Sequence, residues 1–170
     1  QENSEKFIES LKDKIDAIAV MGGTKVSSEL IKKLPNLKII ANYGVGYDAV
    51  DVEQATLHNV KVTNTPNVLN DEVADTAVAL TLCVYKNISS ANNFLLEKKW
   101  LKSEFPLSKK FSGTKFGILG MGRIGKTIAK RIEAFNCEIC YHSRNKKDVK
   151  YKYFPKLEEL AEHVDTLCVI

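Results

Sequence analysis

From Lys115 to Leu119 the chain reads Lys-Phe-Gly-Ile-Leu. It continues as Gly120-Met-Gly122-Arg-Ile-Gly125 into a helix-like run that begins at Ile124. A short apolar strand, three glycines at this spacing and then a helix leave few folds open, because together they form the entry to a dinucleotide-binding α/β unit. Gly120 allows the tight turn. Gly122 lets a pyrophosphate approach the backbone. Gly125 lets the helix sit close against the strand, and the free N–H groups of the helix N-terminus face the phosphates. These three glycines are the first expected cofactor-binding residues.

The next segment bears on which dinucleotide is bound. Cys137–His142 reads as a second strand. A site that prefers NAD(H) carries an Asp or Glu at the end of that strand, about 20 residues past the glycines, to bond the ribose 2′-hydroxyl. This chain has Ser143-Arg144-Asn145-Lys146-Lys147 there. A hydroxyl, a guanidinium and two ammonium groups suit a 2′-phosphate, with no carboxylate among them to repel it. NADP(H) is therefore expected in preference to NAD(H), which stays possible. The alternative is a solvated basic turn.

Composition excludes more than it selects. The 170 residues are 44% hydrophobic, enough for a core, but no apolar run approaches the length of a membrane span. The net charge of +4 is modest, and much of the excess lies between Arg144 and Lys156. A nucleic-acid binder more often spreads such charge over a face with interleaved aromatics, so no nucleic-acid or membrane partner is expected. Cys83, Cys137, Cys140 and Cys168 all sit in apolar, element-like segments. Cys137 and Cys140 have C-x-x-C spacing, but positions i and i+3 of a strand point to opposite faces. Buried free thiols in a reducing, cytoplasmic compartment, with no metal, are the expectation.

Ahead of the glycines the chain already alternates strands and helices. Ile15–Val20, Leu37–Ala41 and Val60–Thr63 read as strands. Ser27 caps a helix carrying Leu30, Ile31 and Leu34, which Pro35 stops, and Asp51 caps a second helix. This βαβαβ pattern implies a parallel sheet with right-handed crossovers. After Asn64-Thr-Pro-Asn67, Asn70 is expected to cap a helix that is apolar nearly all round from Val73 to Tyr85, and so buried on most sides. A more polar stretch over 89–112 holds Trp100. The second βα series then runs to a last strand, Thr166–Ile170, an unpaired apolar edge prone to association.

With these elements in place, the chain resembles the D-isomer-specific 2-hydroxyacid dehydrogenases. The resemblance rests on Leu37-Lys-Ile-Ile-Ala-Asn-Tyr-Gly-Val-Gly-Tyr-Asp48, Val62-Thr-Asn-Thr-Pro66, Val73-Ala-Asp75 and Gly117-Ile-Leu-Gly-Met-Gly-Arg-Ile-Gly125. Ala134-Phe135 and Tyr141-His-Ser-Arg144 extend it. Within the family the chain looks most like the glyoxylate/hydroxypyruvate and hydroxyphenylpyruvate reductases.

The resemblance implies two parallel-sheet Rossmann-like domains, both incomplete. Residues 1–66 would belong to a flavodoxin-like substrate domain. Residues 67–170 would form the NAD(P)-binding domain, with a dimer arm at about 89–112. Val45 and Gly46 match backbone groups that hold a substrate carboxylate. Gly122, Arg123 and Ile124 match residues lining the pyrophosphate, and Arg144 to Lys146 match the 2′-phosphate loop. Trp100 matches an arm tryptophan that can reach the partner's substrate pocket, or is a packing aromatic. Ala77 stands where the family often has a cofactor-touching threonine.

The family's catalytic Arg, Glu and His lie beyond Ile170, and His58, His142 and His163 match none of them. No catalytic residue is therefore expected in this chain, which looks like a fragment and would be inactive alone. The implied activity is NADPH-preferring reduction of small 2-oxo acids to D-2-hydroxy acids by a homodimer. The alternatives are a non-catalytic nucleotide-binding or dimerisation module, or an NAD-dependent relative such as a phosphoglycerate or formate dehydrogenase.

Overall fold

The computed structural model describes residues 2–21 and 23–170, which divide into two compact units, one running to Leu69 and the other spanning Asn70–Ile170. The division falls a few residues after the expected one at 66/67.

In the first unit, helix α1 (Glu2–Leu11) precedes strands β1 (Ala17–Met21), β2 (Ile39–Tyr43) and β3 (Lys61–Thr63). Between the strands run α2 (Ser28–Lys32) and α3 (Val52–Leu57). The three strands form a parallel sheet in the order β1-β2-β3, with Ile39 in register with both Ala17 and Lys61. Both expected caps form. The Ser27 hydroxyl accepts from the Leu30 N–H at 3.4 Å, and the Asp51 carboxylate accepts from the Gln54 N–H at 3.0 Å. Each cap satisfies a donor that the first turn leaves unpaired, and such a cap stabilises a helix by about 1 kcal/mol. Ile31, Leu34, Leu37, Ile40, Val50 and Ala55 close the core against one face of the sheet. Ala41 and Tyr43 on the other face are exposed.

The second unit begins with α4 (Asn70–Tyr85) and α5 (Ile88–Leu96). It continues with β4 (Lys115–Leu119), α6 (Arg123–Ile132), β5 (Glu138–His142), β6 (Lys152–Tyr153), α7 (Leu157–His163) and β7 (Thr166–Val169). The sheet is parallel throughout, in the order β6-β5-β4-β7. The chain therefore winds outward from β4 in one direction, then returns to β4's other side. That reversal places a topological switch point between β4 and β7, where open α/β sheets bind ligands beyond the strand ends. One face of the sheet buries Phe116, Ile118, Ile139 and Tyr141 with Ile128, Ala129 and Ile132 of α6, and Phe111 completes the cluster. On the other face a Cβ at Gly117 would meet the Val164 side chain at 2.9 Å, so α7 and the turn after it lie directly against β4.

Two expectations about α4 are corrected. Asn70 is the first helical residue, not a cap outside the helix. The helix is also not buried on most sides. Only Ala74 is fully buried, whereas Leu80 is 62% and Val84 75% exposed. One face packs on α6, and Arg131 of α6 bridges to Asp71 at 3.0 Å and to Asp75. The other face, with Leu80 and Val84, lines an open groove beside Leu167 and Val169 of β7. Composition showed that α4 is apolar, but the number of neighbours it has is a tertiary matter. Strand β6 was not anticipated. It is two residues long, and its Lys-Tyr sequence carries no apolar alternation.

Candidate functional site

The three glycines of the loop meet different surroundings. Gly120 has φ +110°, a backbone region that L side chains rarely adopt, and a Cβ there would lie 2.3 Å from the Ile170 carbonyl oxygen. A Cβ at Gly125 would lie 2.0 Å from the Gly120 carbonyl oxygen, so the first turn of α6 meets the strand backbone directly. At Gly122, by contrast, nothing lies within 4 Å of such an atom. The first and third glycines are thus required by the fold, and the second leaves open space above the backbone.

That space faces the start of α6. Gly122 is its N-cap and provides no side-chain cap, and the first helical hydrogen bond runs from the Lys126 N–H to the Gly122 carbonyl at 3.0 Å. The N–H groups of Arg123, Ile124 and Gly125 precede that bond and are left as unpaired helix donors. An open glycine under three free donors at the positive end of a helix has room and charge suited to a phosphate anion. Met121, between the glycines, is buried and anchors the loop from below.

The expected 2′-phosphate loop follows β5. Arg144, Asn145 and Lys146 are exposed. Their backbone is held in place. The Ser143 hydroxyl donates to the Asn145 carbonyl at 2.8 Å, and the Tyr153 hydroxyl donates to the Ser143 carbonyl at 3.3 Å. The buried Tyr141 hydroxyl accepts from the Lys147 N–H at 2.8 Å. Neither Arg144 nor Lys146 is in an ion pair among the described residues. A fixed loop with uncommitted cations is poised for an anionic ligand.

In the first unit the Gly44-Val45-Gly46 bend leaves the C-terminal end of β2. Asn42, a buried polar residue, donates its amide to the carbonyls of Gly44 at 3.3 Å and Gly46 at 2.8 Å. Asn64 donates to the Val45 carbonyl at 2.9 Å, and the Thr65 N–H to the Gly44 carbonyl at 2.9 Å. All three carbonyls are thus tied back. Among the described residues, neither Val45 nor Gly46 donates a backbone hydrogen bond. A loop with its acceptors satisfied and its donors free offers N–H groups to a carboxylate.

Asn42 and Asn64 were not singled out from sequence. The available signal was an amide in the apolar strand Ile-Ile-Ala-Asn-Tyr, at a position whose alternation demands burial. Arg131, which ties α4 to α6 through Asp71 and Asp75, was also missed, because its partners lie 60 and 56 residues away.

The remaining residues take ordinary places. Trp100 sits in a short 3-10 turn, 56% exposed, beside Ala91, Phe94, Leu95 and Phe105. Ala77 is partly buried against the core of the second unit. The His58 Nδ1 lies 2.9 Å from the Gln54 carbonyl, and the His142 Nδ1 lies 2.9 Å from the Phe154 carbonyl. All four cysteines are free thiols.

The glycine loop, the uncapped helix and the switch-point topology give the second unit the form of α/β domains that bind dinucleotides. Comparison with known proteins narrows the class. The profile of D-isomer specific 2-hydroxyacid dehydrogenase, catalytic domain, matches residues 1–144, and the chain belongs to that family. Glyoxylate/hydroxypyruvate reductase A of Arabidopsis thaliana is 41% identical over 164 residues, covering 96% of this chain and 52% of that protein. Hydroxyphenylpyruvate reductase of Plectranthus scutellarioides is 40% identical over the same length, covering 96% and 52%. An NADPH-dependent glyoxylate/hydroxypyruvate reductase from Sinorhizobium meliloti, solved with NADP and malonate, superimposes with a TM-score of 0.85 at 43% identity, over 95% of this chain and 50% of that one. The chain spans about half the length of the curated relatives it matches.

No helix among the described residues is long and apolar enough to cross a membrane.

Proposed function

We propose that this chain carries the cofactor loop and the carboxylate loop of an NADPH-preferring reductase. Its substrates would be small 2-oxo acids of the glyoxylate and hydroxypyruvate type, reduced to D-2-hydroxy acids. The observation that carries the reading is the open Gly122 beneath the uncapped start of α6, followed at the end of β5 by Arg144 and Lys146 without a carboxylate partner. Bound NADPH would supply the hydride that a 2-oxo carbonyl carbon accepts.

The chain's own part is to bind and orient. Gly120 and Gly125 hold the loop in shape. Gly122, Arg123 and Ile124 present N–H groups to the pyrophosphate. Ser143, Arg144, Asn145 and Lys146 enclose the 2′-phosphate, with the Arg144 guanidinium suited to a bidentate contact. Val45 and Gly46 hold the substrate carboxylate by backbone, which fixes the carbonyl without a side chain that would compete for it. The arm at 89–112 is assigned to homodimer formation. It carries exposed Leu95, Leu96, Trp100 and Leu101, an apolar surface suited to burial against a second copy.

The test is a binding titration of this chain with 2′,5′-ADP and with 5′-ADP, which differ by the 2′-phosphate that the loop is proposed to read. At least tenfold tighter binding of 2′,5′-ADP supports the assignment. Equal affinity removes the NADPH preference, and failure of both ligands to bind removes the cofactor site.

A further inference from the structure

A second group of chemistry-bearing side chains lies on the opposite face of the sheet from α6. Glu138 and Cys140 are two residues apart on β5 and so project to the same side. That side is covered by α7, whose last residue is His163. Three potential ligand atoms meet there. The His163 Nε2 lies 3.0 Å from the Glu138 Oε1, and the Cys140 Sγ lies 3.6 Å from the same oxygen. The carboxylate oxygen, thiol sulfur and imidazole nitrogen all fall within 4.8 Å of one another.

We propose that Glu138, Cys140 and His163 form a binding site for a thiophilic divalent cation, zinc being the natural occupant, with water as the fourth ligand.

The geometry is close to what that ion requires. Zinc bonds of about 2.3 Å to sulfur and about 2.0–2.2 Å to nitrogen and oxygen imply ligand-to-ligand separations of roughly 3.3–3.6 Å in a tetrahedron. The two separations from the Glu138 Oε1, 3.0 and 3.6 Å, lie within a few tenths of an ångström of this range, and the Cys140 Sγ and His163 Nε2 fall within 4.8 Å of each other. One carboxylate oxygen faces both the thiol and the imidazole, so a cation at the centre takes the place of the two hydrogens now shared with it. Binding releases the Cys140 proton to solvent, and the hydrogen displaced from the His163 Nε2 is carried on Nδ1. The thiolate and the carboxylate then balance the two charges of the ion, with His163 neutral.

The surroundings favour a soft ion over a hard one. Cys140 is fully buried and offers a thiol sulfur, the soft ligand of the three. Magnesium and calcium take sets of oxygen ligands, so a site of one thiol, one imidazole and one carboxylate makes them poor candidates. Glu138 and His163 are partly exposed, which leaves a path for the ion and room for a water. The site also joins β5 to α7, elements separated in sequence, so metal binding would clamp that helix to the sheet.

Cys137 and Cys140 have C-x-x-C spacing, but their side chains point to opposite faces of the strand. The structure pairs Cys140 with residues 2 and 23 positions away instead.

Cobalt(II) is the probe, because a cobalt–thiolate bond adds a charge-transfer absorption in the near ultraviolet. Titration of the reduced chain should give this band with a stoichiometry of one, and zinc should displace it. His163→Gln, at a helix end and not in the core, should weaken cobalt binding at least about tenfold. Cys140→Ser should abolish the band, and Cys137→Ser should leave it unchanged. Zinc should raise the unfolding temperature of the unaltered chain, and raise that of His163→Gln less at the same zinc concentration. The proposal is overturned if no saturable band forms. It is also overturned if the band survives Cys140→Ser, or if His163→Gln, shown folded by circular dichroism, binds as tightly as the unaltered chain.

Discussion

A Cβ atom placed on Gly125 would stand 2.0 Å from the carbonyl oxygen of Gly120, whereas one placed on Gly122 would touch nothing within 4 Å. Two glycines of the same motif therefore serve different ends. Gly125→Ala should destabilise the second unit by about 1–3 kcal/mol or more, as overpacking against rigid backbone does. Gly122→Ala should leave thermal unfolding nearly unchanged while weakening nucleotide binding. Thermal denaturation and an ADP titration on both variants check the split. Equal loss of stability in the two would count against it.

Arg144 carries the next prediction. Its side chain is exposed on a loop held by Ser143 and Tyr153, so truncation removes a charge without disturbing the fold. Arg144→Ala should weaken 2′,5′-ADP by about 1.5–3 kcal/mol, the range for a hydrogen bond to a charged group, and leave 5′-ADP nearly unaffected. Titration calorimetry reads both. Parallel losses would mean that the guanidinium does not meet the 2′-phosphate.

The carboxylate loop depends on an amide below it. Asn42 ties down the Gly44 and Gly46 carbonyls, and its removal leaves them without that donor. Asn42→Ala should cost about 1–3 kcal/mol in stability. In amide NMR spectra of the unaltered chain, glyoxylate should shift the Val45 and Gly46 resonances. Gly46→Val should abolish those shifts. Movement confined to other residues would place the anchor elsewhere.

Acid stability should depend on Glu133. A hydrogen bond from Lys150 holds its carboxyl below the usual value of 4.5, with a second from the Tyr151 hydroxyl at 2.8 Å. A carboxyl with a depressed folded-state value contributes stability that is present above its unfolded value, near 4.5, and is lost as pH falls through the folded one. Glu133→Gln should therefore lower stability at pH 7 and flatten the decline below about pH 4.5. Urea unfolding across pH 3–7 measures this, and an unchanged acid limb would remove Glu133 from the account.

Local rules in the sequence reached far. Gly120, Gly122 and Gly125 act on their own backbone, Ser27 and Asp51 cap the helices they begin, and the β–α alternation dictates parallel sheets. Each depends on neighbours a few residues away, which a linear reading sees. The family resemblance came from several such segments in order. What sequence could not supply depended on residues distant in the chain. The exposed face of α4 was misread because apolar composition shows only that a helix wants partners, and the fold supplies them on one side. The role of Asn42 emerged only when the 44–46 bend folded back over its amide. Glu138, Cys140 and His163 share a site because β5 presents alternate residues to one face and α7 ends beside them. Strand and helix periodicities act over a few residues, but convergence of side chains is decided by which faces the tertiary structure brings together.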